Sequence, residues 1–407
     1  MLRAYHHRPV HARLYLLMLL EFLFGIVYGI FSLSLPILSN NIFGNVAVLG
    51  FIFALPELFG TLIDIPLGAF ANRFGRRRTI FGSTLLLAAA ALLFLTLRQP
   101  ILFVVALVFY ELATQAFIIP ADAEQVALTP NRRAGRFNGI AEGIHNLGFS
   151  LGPLLAGMLL AYSIGYAFWL AFAVAILMAI VSLLSLPMER RGASFTRAAE
   201  NVWRRDRLFL AGIREFHTLG FTGIFLTFVF FIFAFHWGFI ALLEPIYATA
   251  LGLSEFSVGL VYAGFTLPIF FISILTGRYI DRRGAKAILL GGLLLMALSM
   301  IGFGFSTQPK TLFLWSLVSG VGDAFLLPAV MTLLDQFASY RVKEEISGVK
   351  VFAESAGYFI GPLVAGIGAA ALGFQNTFLY LGFMILVLTA ATLFVPITRP
   401  AYAEAAA

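Results

Sequence analysis

The sequence predicts an all-α integral membrane protein whose twelve transmembrane helices form two six-helix bundles related by a pseudo-twofold axis. Hydrophobic residues make up 60% of the 407-residue chain and charged residues only 12%. Soluble proteins carry roughly twice that fraction of charged residues, so this much apolar surface requires lipid. The chain also matches itself at a fixed offset, with Pro36 aligning with Pro245 and Gly29 with Gly238.

Twelve apolar runs are long enough to cross a membrane as helices. Crossing roughly 30 Å of hydrocarbon takes about 20 helical residues, and the runs lack the period-two alternation of barrel strands. The runs cover 14–37, 47–71, 79–97, 101–126, 138–162, 164–186, 221–250, 256–280, 286–306, 311–336, 348–372 and 374–396. The first follows a basic start but is too long for a signal peptide, so we expect it to be retained.

The positions of the basic residues predict the orientation of these spans. With a cytoplasmic N-terminus, every Lys and Arg except Arg98 and Lys310 lies on the cytoplasmic side, as the positive-inside rule requires. We therefore expect a multi-pass protein of the cell's inner (plasma) membrane with both termini in the cytoplasm. The net charge of +7 sits in short loops, a distribution that excludes a nucleic-acid-binding face.

A charged stretch in the middle of the chain separates the two predicted bundles. The N-terminal bundle covers 1–186, the cytoplasmic linker 187–220 and the C-terminal bundle 221–407. Apolar residues between the arginines of the linker allow an amphipathic helix on the inner leaflet. A plain connector explains the same composition equally well.

The internal repeat is carried by glycines, prolines and loop arginines. The segment Gly68-x4-Arg73-x-Gly75 aligns with Gly277-x4-Arg282-x-Gly284, and Gly152-Pro153 aligns with Gly361-Pro362. An even number of spans separates the copies, so both enter the membrane in the same direction. This arrangement predicts a pseudo-twofold axis along the membrane normal.

These motifs resemble those of the major facilitator superfamily. GAFANRFGRRR (68–78) is similar to the family's loop signature G-x-x-x-D-R-x-G-R-R/K, and GRYIDRRGAK (277–286) is a weaker second copy. GFSLGPLLAG (148–157) resembles the Gly-Pro motif of proton-driven antiporters. The resemblance implies a secondary transporter that works by alternating access and is closest in motifs to bacterial proton-coupled efflux antiporters. It says little about the substrate.

The motif residues depart from the family pattern at two places. Asn72 replaces the acid of the first loop motif while the second copy keeps Asp281, and the Arg that drug:proton antiporters carry near Leu112 is absent. The residues assigned to gating and to the motifs are Gly68, Asn72, Arg73, Gly75, Arg76, Gly152, Pro153, Gly277, Asp281, Arg282, Gly284, Gly361 and Pro362.

Each motif residue type has a physical role. The four loop glycines permit tight turns and close helix approach, and Arg73 and Arg282 can hydrogen-bond the carbonyl ends of helices. The Gly-Pro motifs can bend spans 5 and 11 so that they pack against the other half. Ordinary membrane packing is the alternative explanation for any one of these glycines.

Ionisable side chains within the spans are the candidates for proton coupling or substrate binding, because burying a charge in lipid costs several kcal/mol. They are Glu21, Glu57, Asp64, Glu111, Glu142, His145, Asp323 and Glu354. Glu57 and Glu111 are first choices, since each lies about 15 Å from the outer end of its span. A lone His such as His145 more often hydrogen-bonds a backbone carbonyl, although it aligns with Glu354.

Asp64 and Glu354 form a further predicted pair. In the family's architecture spans 2 and 11 line the contact between the halves, and both acids lie roughly 10 Å above the cytoplasmic surface. Two carboxylates that close would share one proton, and losing it would push the halves apart on the inner side.

The predicted function is proton-coupled export of an amphipathic, neutral or cationic small molecule, because the spans hold acids and no Lys or Arg lies well inside them. A sugar or metabolite importer of the same fold and a transport-inactive membrane assembly protein are the alternatives. The chain has no metal-binding, nucleophile or nucleotide-binding motif, so we expect neither an enzyme nor a nucleotide-driven pump. The expected partners are a small-molecule substrate and the lipid bilayer, with no nucleic acid, no metal and no cofactor. The proton gradient supplies the energy, and the monomer is the functional unit.

Overall fold

The computed structural model describes residues 10–96, 99–128, 134–185, 220–337 and 343–396. Twelve helices occupy these ranges, one for each predicted span. They are α1 Val10–Phe43, α2 Val46–Phe74, α3 Arg76–Thr96, α4 Pro100–Leu128, α5 Ala134–Leu160, α6 Ile164–Ser185, α7 Gly220–Ala250, α8 Glu255–Arg283, α9 Ala285–Phe305, α10 Pro309–Phe337, α11 Lys343–Leu372 and α12 Phe374–Phe394. Apart from Gly220, the predicted linker lies outside the described residues.

The length and composition of these helices suit a membrane. Eleven contain a span long and apolar enough to cross it, and α2 contributes the shorter apolar segment Val46–Gly60. A helix satisfies its backbone hydrogen bonds internally, as hydrocarbon demands. The predicted all-α membrane fold of twelve helices is confirmed.

Two of the loop glycines end their helices in a conformation that other residues rarely adopt. Gly75 follows α2 with a φ of 114°, and Gly284 follows α8 with a φ of 81°. Glycine reaches these angles without steric cost, so both sites form the tight turns that the motif predicts. The predicted close helix approach is not seen at Gly68 or Gly277: a Cβ at Gly68 would make only an ordinary 3.5 Å contact, and one at Gly277 would meet nothing within 4 Å.

The helices group into two compact units. Unit 1 contains α1, α2 from Leu55 onward, α3 to α6, and α8 as far as Thr266. Within it α1 packs against α4, α5 and α6, and α3 packs against α4 and α6. A core of alanines and aromatic rings, including Phe31, Phe94 and Phe168, fills this unit.

Unit 2 contains α2 from Val46 to Ala54, α7, α8 from Leu267, and α9 to α12. Inside this unit α7 packs against α10 and α11, and α9 packs against α10 and α12. These pairs are the counterparts of α1 with α4 and α5 and of α3 with α4 and α6. Each unit also includes the beginning of a helix that the sequence analysis assigned to the other half of the chain.

Glycines bring the backbones of α1 and α5 into direct contact in unit 1. A Cβ on Gly152 would lie 2.6 Å from the carbonyl oxygen of Ile26 and 2.7 Å from the Cα of Gly29. In unit 2 a Cβ on Gly238 of α7 would lie 2.9 Å from the Cδ of Pro362 on α11. The Gly-Pro motifs were predicted to pack against the other half; Gly152 and the Pro362 ring form one side of each motif, which packs inside its own half.

A second set of glycines joins the segments that each unit takes from the other half. A Cβ on Gly259 of α8 would lie 2.5 Å from the Pro153 carbonyl oxygen and 2.9 Å from the Cα of Gly157. A Cβ on Gly50 of α2 would lie 2.7 Å from the Pro362 carbonyl oxygen and 3.1 Å from the Cα of Gly366. Small residues at such crossings allow close backbone packing in lipid.

We expect Gly152→Ala to destabilise the protein, because its new methyl group meets rigid backbone on α1. Overpacking of this kind costs about 1–3 kcal/mol, which lowers the midpoint of thermal unfolding in detergent. Gly82→Ala is the matched control, since a Cβ there meets nothing within 4 Å. Equal midpoints for the two variants would contradict the backbone contact.

Candidate functional site

Two of the predicted acids lie beside aromatic side chains in unit 1. Glu111 on α4 is buried, and its Oε1 accepts a hydrogen bond of 2.8 Å from the Gln115 amide. Gly60 lets α2 approach it, since a Cβ there would lie 3.3 Å from Glu111 Oε1. The Tyr28 hydroxyl is close enough to interact electrostatically with both Glu57 and Glu111.

Aromatic rings continue from Tyr28 along the same side of unit 1. The Tyr28 ring centroid lies 5.3 Å from that of Phe149 on α5, and Phe149 lies 6.5 Å from Tyr262 on α8. We call Tyr28, Glu57, Glu111, Phe149 and Tyr262 the aromatic–acid cluster. It places aromatic rings and carboxylates together, a combination that suits an organic cation.

A second group of predicted residues meets in the N-terminal parts of α1 and α5. His145 Nδ1 lies 3.4 Å from Glu21 Oε2, and the His145 ring packs 5.7 Å from that of Phe24. Glu142, one turn away, accepts a 3.0 Å hydrogen bond from the Asn146 amide. Asp122 interacts electrostatically with Glu21, Glu142 and His145. The protein leaves Glu142 and Asp122 exposed while it buries Glu21.

Asp323, predicted from the sequence, has an unpredicted partner in unit 2. His236 Nδ1 lies 3.5 Å from Asp323 Oδ1, and the two side chains are 0% and 1% exposed. His236 Nε2 lies 3.2 Å from Ser319 Oγ, and the Trp237 indole also interacts with Asp323. Single His and Ser residues in apolar helices do not by themselves indicate a functional site. The repeat does point to this region, because Trp237 aligns with Tyr28 of the aromatic–acid cluster.

A buried acid lies farther along the same two helices. Glu244 on α7 is 2% exposed, and its Oε1 accepts a 2.8 Å hydrogen bond from Ser316 Oγ on α10. Its Oε2 has no hydrogen-bond partner among the described residues. Glu354 is half-buried on α11. The side chain of Asp64 lies outside the described residues, so the pairing of Asp64 with Glu354 stays a prediction.

Arg76 makes the cytoplasmic contacts of the first loop motif. It donates a 3.0 Å hydrogen bond to the Ala123 carbonyl, and its Nη1 lies 3.3 Å from Glu124 Oε2. Asn72 Oδ1 accepts from two nitrogens of Arg76 at 3.4 Å. Asn72 therefore orients the charged arginine with an uncharged amide, at the position where the family pattern has a charged acid.

Two repeat-equivalent basic residues cap the last helix of each half. Arg77 donates to the Leu183 carbonyl near the end of α6. Lys286 donates to the carbonyls of Leu393 and Val395 at the end of α12, at 3.2 and 2.8 Å. The sequence analysis gave this capping role to Arg73 and Arg282, both of which are exposed, and Asp281 lies outside the described side chains.

The described residues contain no group of three or more His, Cys, Asp or Glu side chains that can hold a metal ion. Their titratable groups form pairs and small clusters, such as Glu21 with His145 and His236 with Asp323. Such pairs can bind and release protons, and the aromatic–acid cluster can bind a small molecule.

Sequence profiles and known structures define the family. The Major Facilitator Superfamily profile matches residues 17–243 and 226–406. Multidrug resistance protein 2 of Bacillus subtilis is 27% identical over 158 residues, 39% of each chain. Quinolone resistance protein NorA of Staphylococcus aureus is 28% identical over 125 residues, 31% of this chain and 32% of NorA. The chain thus matches well under half the length of these relatives.

Solved structures share the fold across nearly the entire chain. The nucleoside transporter NupG superposes with a TM-score of 0.71 at 12% identity, covering 94% of this chain and 98% of NupG. The human organic anion transporter MFSD10 superposes with a TM-score of 0.66 at 18% identity, covering 95% and 100%. At these identities the likeness concerns the fold alone. With the profile matching both halves of its sequence, the chain belongs to the major facilitator superfamily.

Proposed function

We propose that this transporter exports an amphipathic, cationic or neutral small molecule in exchange for protons, by alternating access. The observation that carries the proposal is the aromatic–acid cluster, in which Glu57 and Glu111 are within electrostatic range of the Tyr28 hydroxyl. An acid held in a nonpolar helix bundle gains stability from a proton or from a bound cation. Competition between the proton and the cation for the same carboxylates couples the transport of one to the transport of the other.

The chemistry of the cluster supports a cationic or neutral substrate. A cation over an aromatic face gains roughly 0.5–2 kcal/mol, the larger figure when water is excluded. An anion would require a Lys or Arg, and neither residue type occurs in the cluster or in the neighbouring turns of its helices. The buried rings of Phe149 and Tyr262 extend the apolar part of the cluster.

The relatives support export. Two of the matching proteins are named for multidrug resistance and one for quinolone resistance. Resistance of this kind follows when a transporter removes compounds from the cell. The predicted importer of the same fold is the alternative, and the direction of flux in the next experiment distinguishes the two.

We expect purified protein in liposomes to accumulate ethidium, a planar organic cation, when the lumen is acidic. The outward proton flux supplies the energy, so nigericin, which dissipates the pH gradient, abolishes accumulation. Ethidium fluorescence in DNA-loaded liposomes measures the uptake, and protein-free liposomes are the control. Accumulation that nigericin leaves unchanged would contradict proton coupling.

We expect Glu111→Gln and Glu57→Gln to weaken ethidium binding by about tenfold each, equivalent to about 1.4 kcal/mol. Each substitution keeps the shape of the side chain and removes the charge that attracts the cation. Glu255→Gln is the matched control, because Glu255 is exposed at the start of α8. Fluorescence polarisation of ethidium with detergent-solubilised protein measures the affinities. Affinities equal to that of the unmodified protein would show that these acids do not contribute to ethidium binding.

A further inference from the structure

A second group of acids lies on helices that also carry the aromatic–acid cluster. Asp122 on α4 interacts electrostatically with Glu21 on α1 and with Glu142 and His145 on α5. His145 Nδ1 lies 3.4 Å from Glu21 Oε2. We call Glu21, Asp122, Glu142 and His145 the second acid cluster. Its three carboxyl groups outnumber the single positive charge that His145 can supply.

The two clusters lie at different levels of the same helices. On α1, Tyr28 follows Glu21 by seven residues, which is about 10 Å at helical rise. On α4, Asp122 follows Glu111 by eleven residues, which is about 16 Å. From the second acid cluster to the aromatic–acid cluster the residue numbers rise on α1 and fall on α4, as antiparallel helices require. The clusters are therefore separated by about 10–16 Å.

Aromatic rings lie between the two levels. The ring of His145 lies 5.7 Å from that of Phe24, and Phe24 lies 5.8 Å from Tyr28. Phe117 of α4 stacks on Phe24 at 4.3 Å. Phe24 and Phe117 are buried, whereas Tyr28 and His145 are partly exposed. The stretch between the two acid groups is therefore apolar, which suits the uncharged middle of a long ligand.

One carboxylate oxygen of the second acid cluster is buried without a partner. Glu21 is only 8% exposed, and its Oε1 has no hydrogen-bond partner among the described residues. Its Oε2 faces His145. A carboxylate that is removed from water is stabilised by a nearby positive charge. The unpartnered oxygen therefore indicates a site for a cation.

The other two acids give access to the second acid cluster. The side chains of Asp122 and Glu142 are exposed. Asp122 lies six residues before the end of α4 at Leu128, and Glu142 lies eight residues after the start of α5 at Ala134. Ionisable side chains within spans face the bundle interior or a water-filled space, because burying a charge in lipid costs several kcal/mol. A ligand can therefore reach the cluster from water.

The charges on the surrounding helices leave the cluster acidic. The nearest Lys or Arg residues in sequence on α1 and α5 are Arg13, eight residues before Glu21, and Arg136, six residues before Glu142. α4 contains no Lys or Arg, and α6, which also packs against α1, contains no charged residue and no His. In the described part of the chain the acids and His do not converge closely enough to hold a metal ion. Their spacing suits a larger, organic cation.

We propose that unit 1 binds an elongated organic dication, with one cationic end at the aromatic–acid cluster and the other at the second acid cluster. The proposal rests on the cation binding proposed above and adds a second site and a spacing. A ligand whose two cationic groups are about 10–16 Å apart engages both clusters at once. It therefore gains affinity over a ligand with one cationic group, because its second end binds at a high effective concentration.

Two ligands with the same ten-carbon chain test the second site. Decamethonium carries a trimethylammonium group at each end of the chain, and decyltrimethylammonium carries one at a single end. We expect decamethonium to displace ethidium from purified protein at concentrations about tenfold lower, measured by fluorescence polarisation. Decamethonium is the less apolar of the two, so its tighter binding cannot come from partitioning into detergent.

Variants of the second acid cluster should affect only the two-ended ligand. We expect Glu142→Gln and Asp122→Asn to weaken decamethonium binding by about tenfold each and to leave decyltrimethylammonium binding within about twofold. Both side chains are exposed, so the substitutions remove charge and preserve the packing. Unchanged binding of the single-ended ligand shows that each variant is folded. Glu255→Gln, at an exposed acid of α8, should change neither affinity.

The outcomes separate the second site from the proposed function. Equal affinities of the two ligands for the unmodified protein, or unchanged decamethonium affinity in Glu142→Gln and Asp122→Asn, would overturn the second site while ethidium binding stands. An equal loss for both ligands in these variants would overturn it as well, because the acids would then not distinguish the second charge. If Glu111→Gln leaves the binding of ethidium and both ten-carbon ligands unchanged, the proposed cation site fails and two-ended binding fails with it.

Discussion

Hydrocarbon offers a membrane protein no hydrogen bonds and no counter-charges, and this constraint determines where every polar group of the chain lies. Each helix satisfies its own backbone, and helices associate without a hydrophobic driving force between them. Close backbone packing holds the helices together instead, at Gly29 with Gly152 and at Gly50 with Gly366. A side chain at any of these positions would separate the helices. The polar groups between the helices can then be positioned within hydrogen-bond distance.

The same scaffold supports different polar groups in the two halves. The glycine contacts of α1 with α5 recur in α7 with α11, and the capping by Arg77 recurs in Lys286. The titratable groups mostly do not recur: His145 aligns with Glu354, but Glu21 aligns with Phe230 and Asp323 with Thr114. The two halves thus share their packing surfaces and differ in most of their membrane acids.

The sequence predicted the fold and the packing glycines better than it predicted their partners. Spans and glycines carry strong local signals, namely length, hydropathy and repetition. The partner of a glycine depends on how helices rotate about their axes, which no local pattern reports. The motif was predicted to meet the other half, which Pro153 and Gly157 do at Gly259, but the contact of Gly152 with α1 of its own half was not predicted. Capping was assigned to Arg73 for the same reason, whereas Arg76 and Arg77 reach the carbonyls because of the turn at Gly75.

The site residues were likewise predictable individually, whereas their pairing was not. Glu21, Glu57, Glu111 and Asp323 were predictable because an acid in an apolar span is rare and costly. Their pairing was not, since Glu21 and His145 are 124 positions apart and His236 and Asp323 are 87 apart. Ser319 was missed because a buried serine normally bonds its own helix. Only its rotamer, turned toward His236, makes it part of a chain of polar groups.

The two His–acid pairs differ in burial. His145 with Glu21 lies in the N-terminal parts of α1 and α5, beside the exposed side chains of Glu142 and Asp122. His236 with Asp323 is buried, and Ser319 and Trp237 are among its polar neighbours. Removing an ionisable group from water costs several kcal/mol, so the buried pair is tolerated because each of its members faces another polar group.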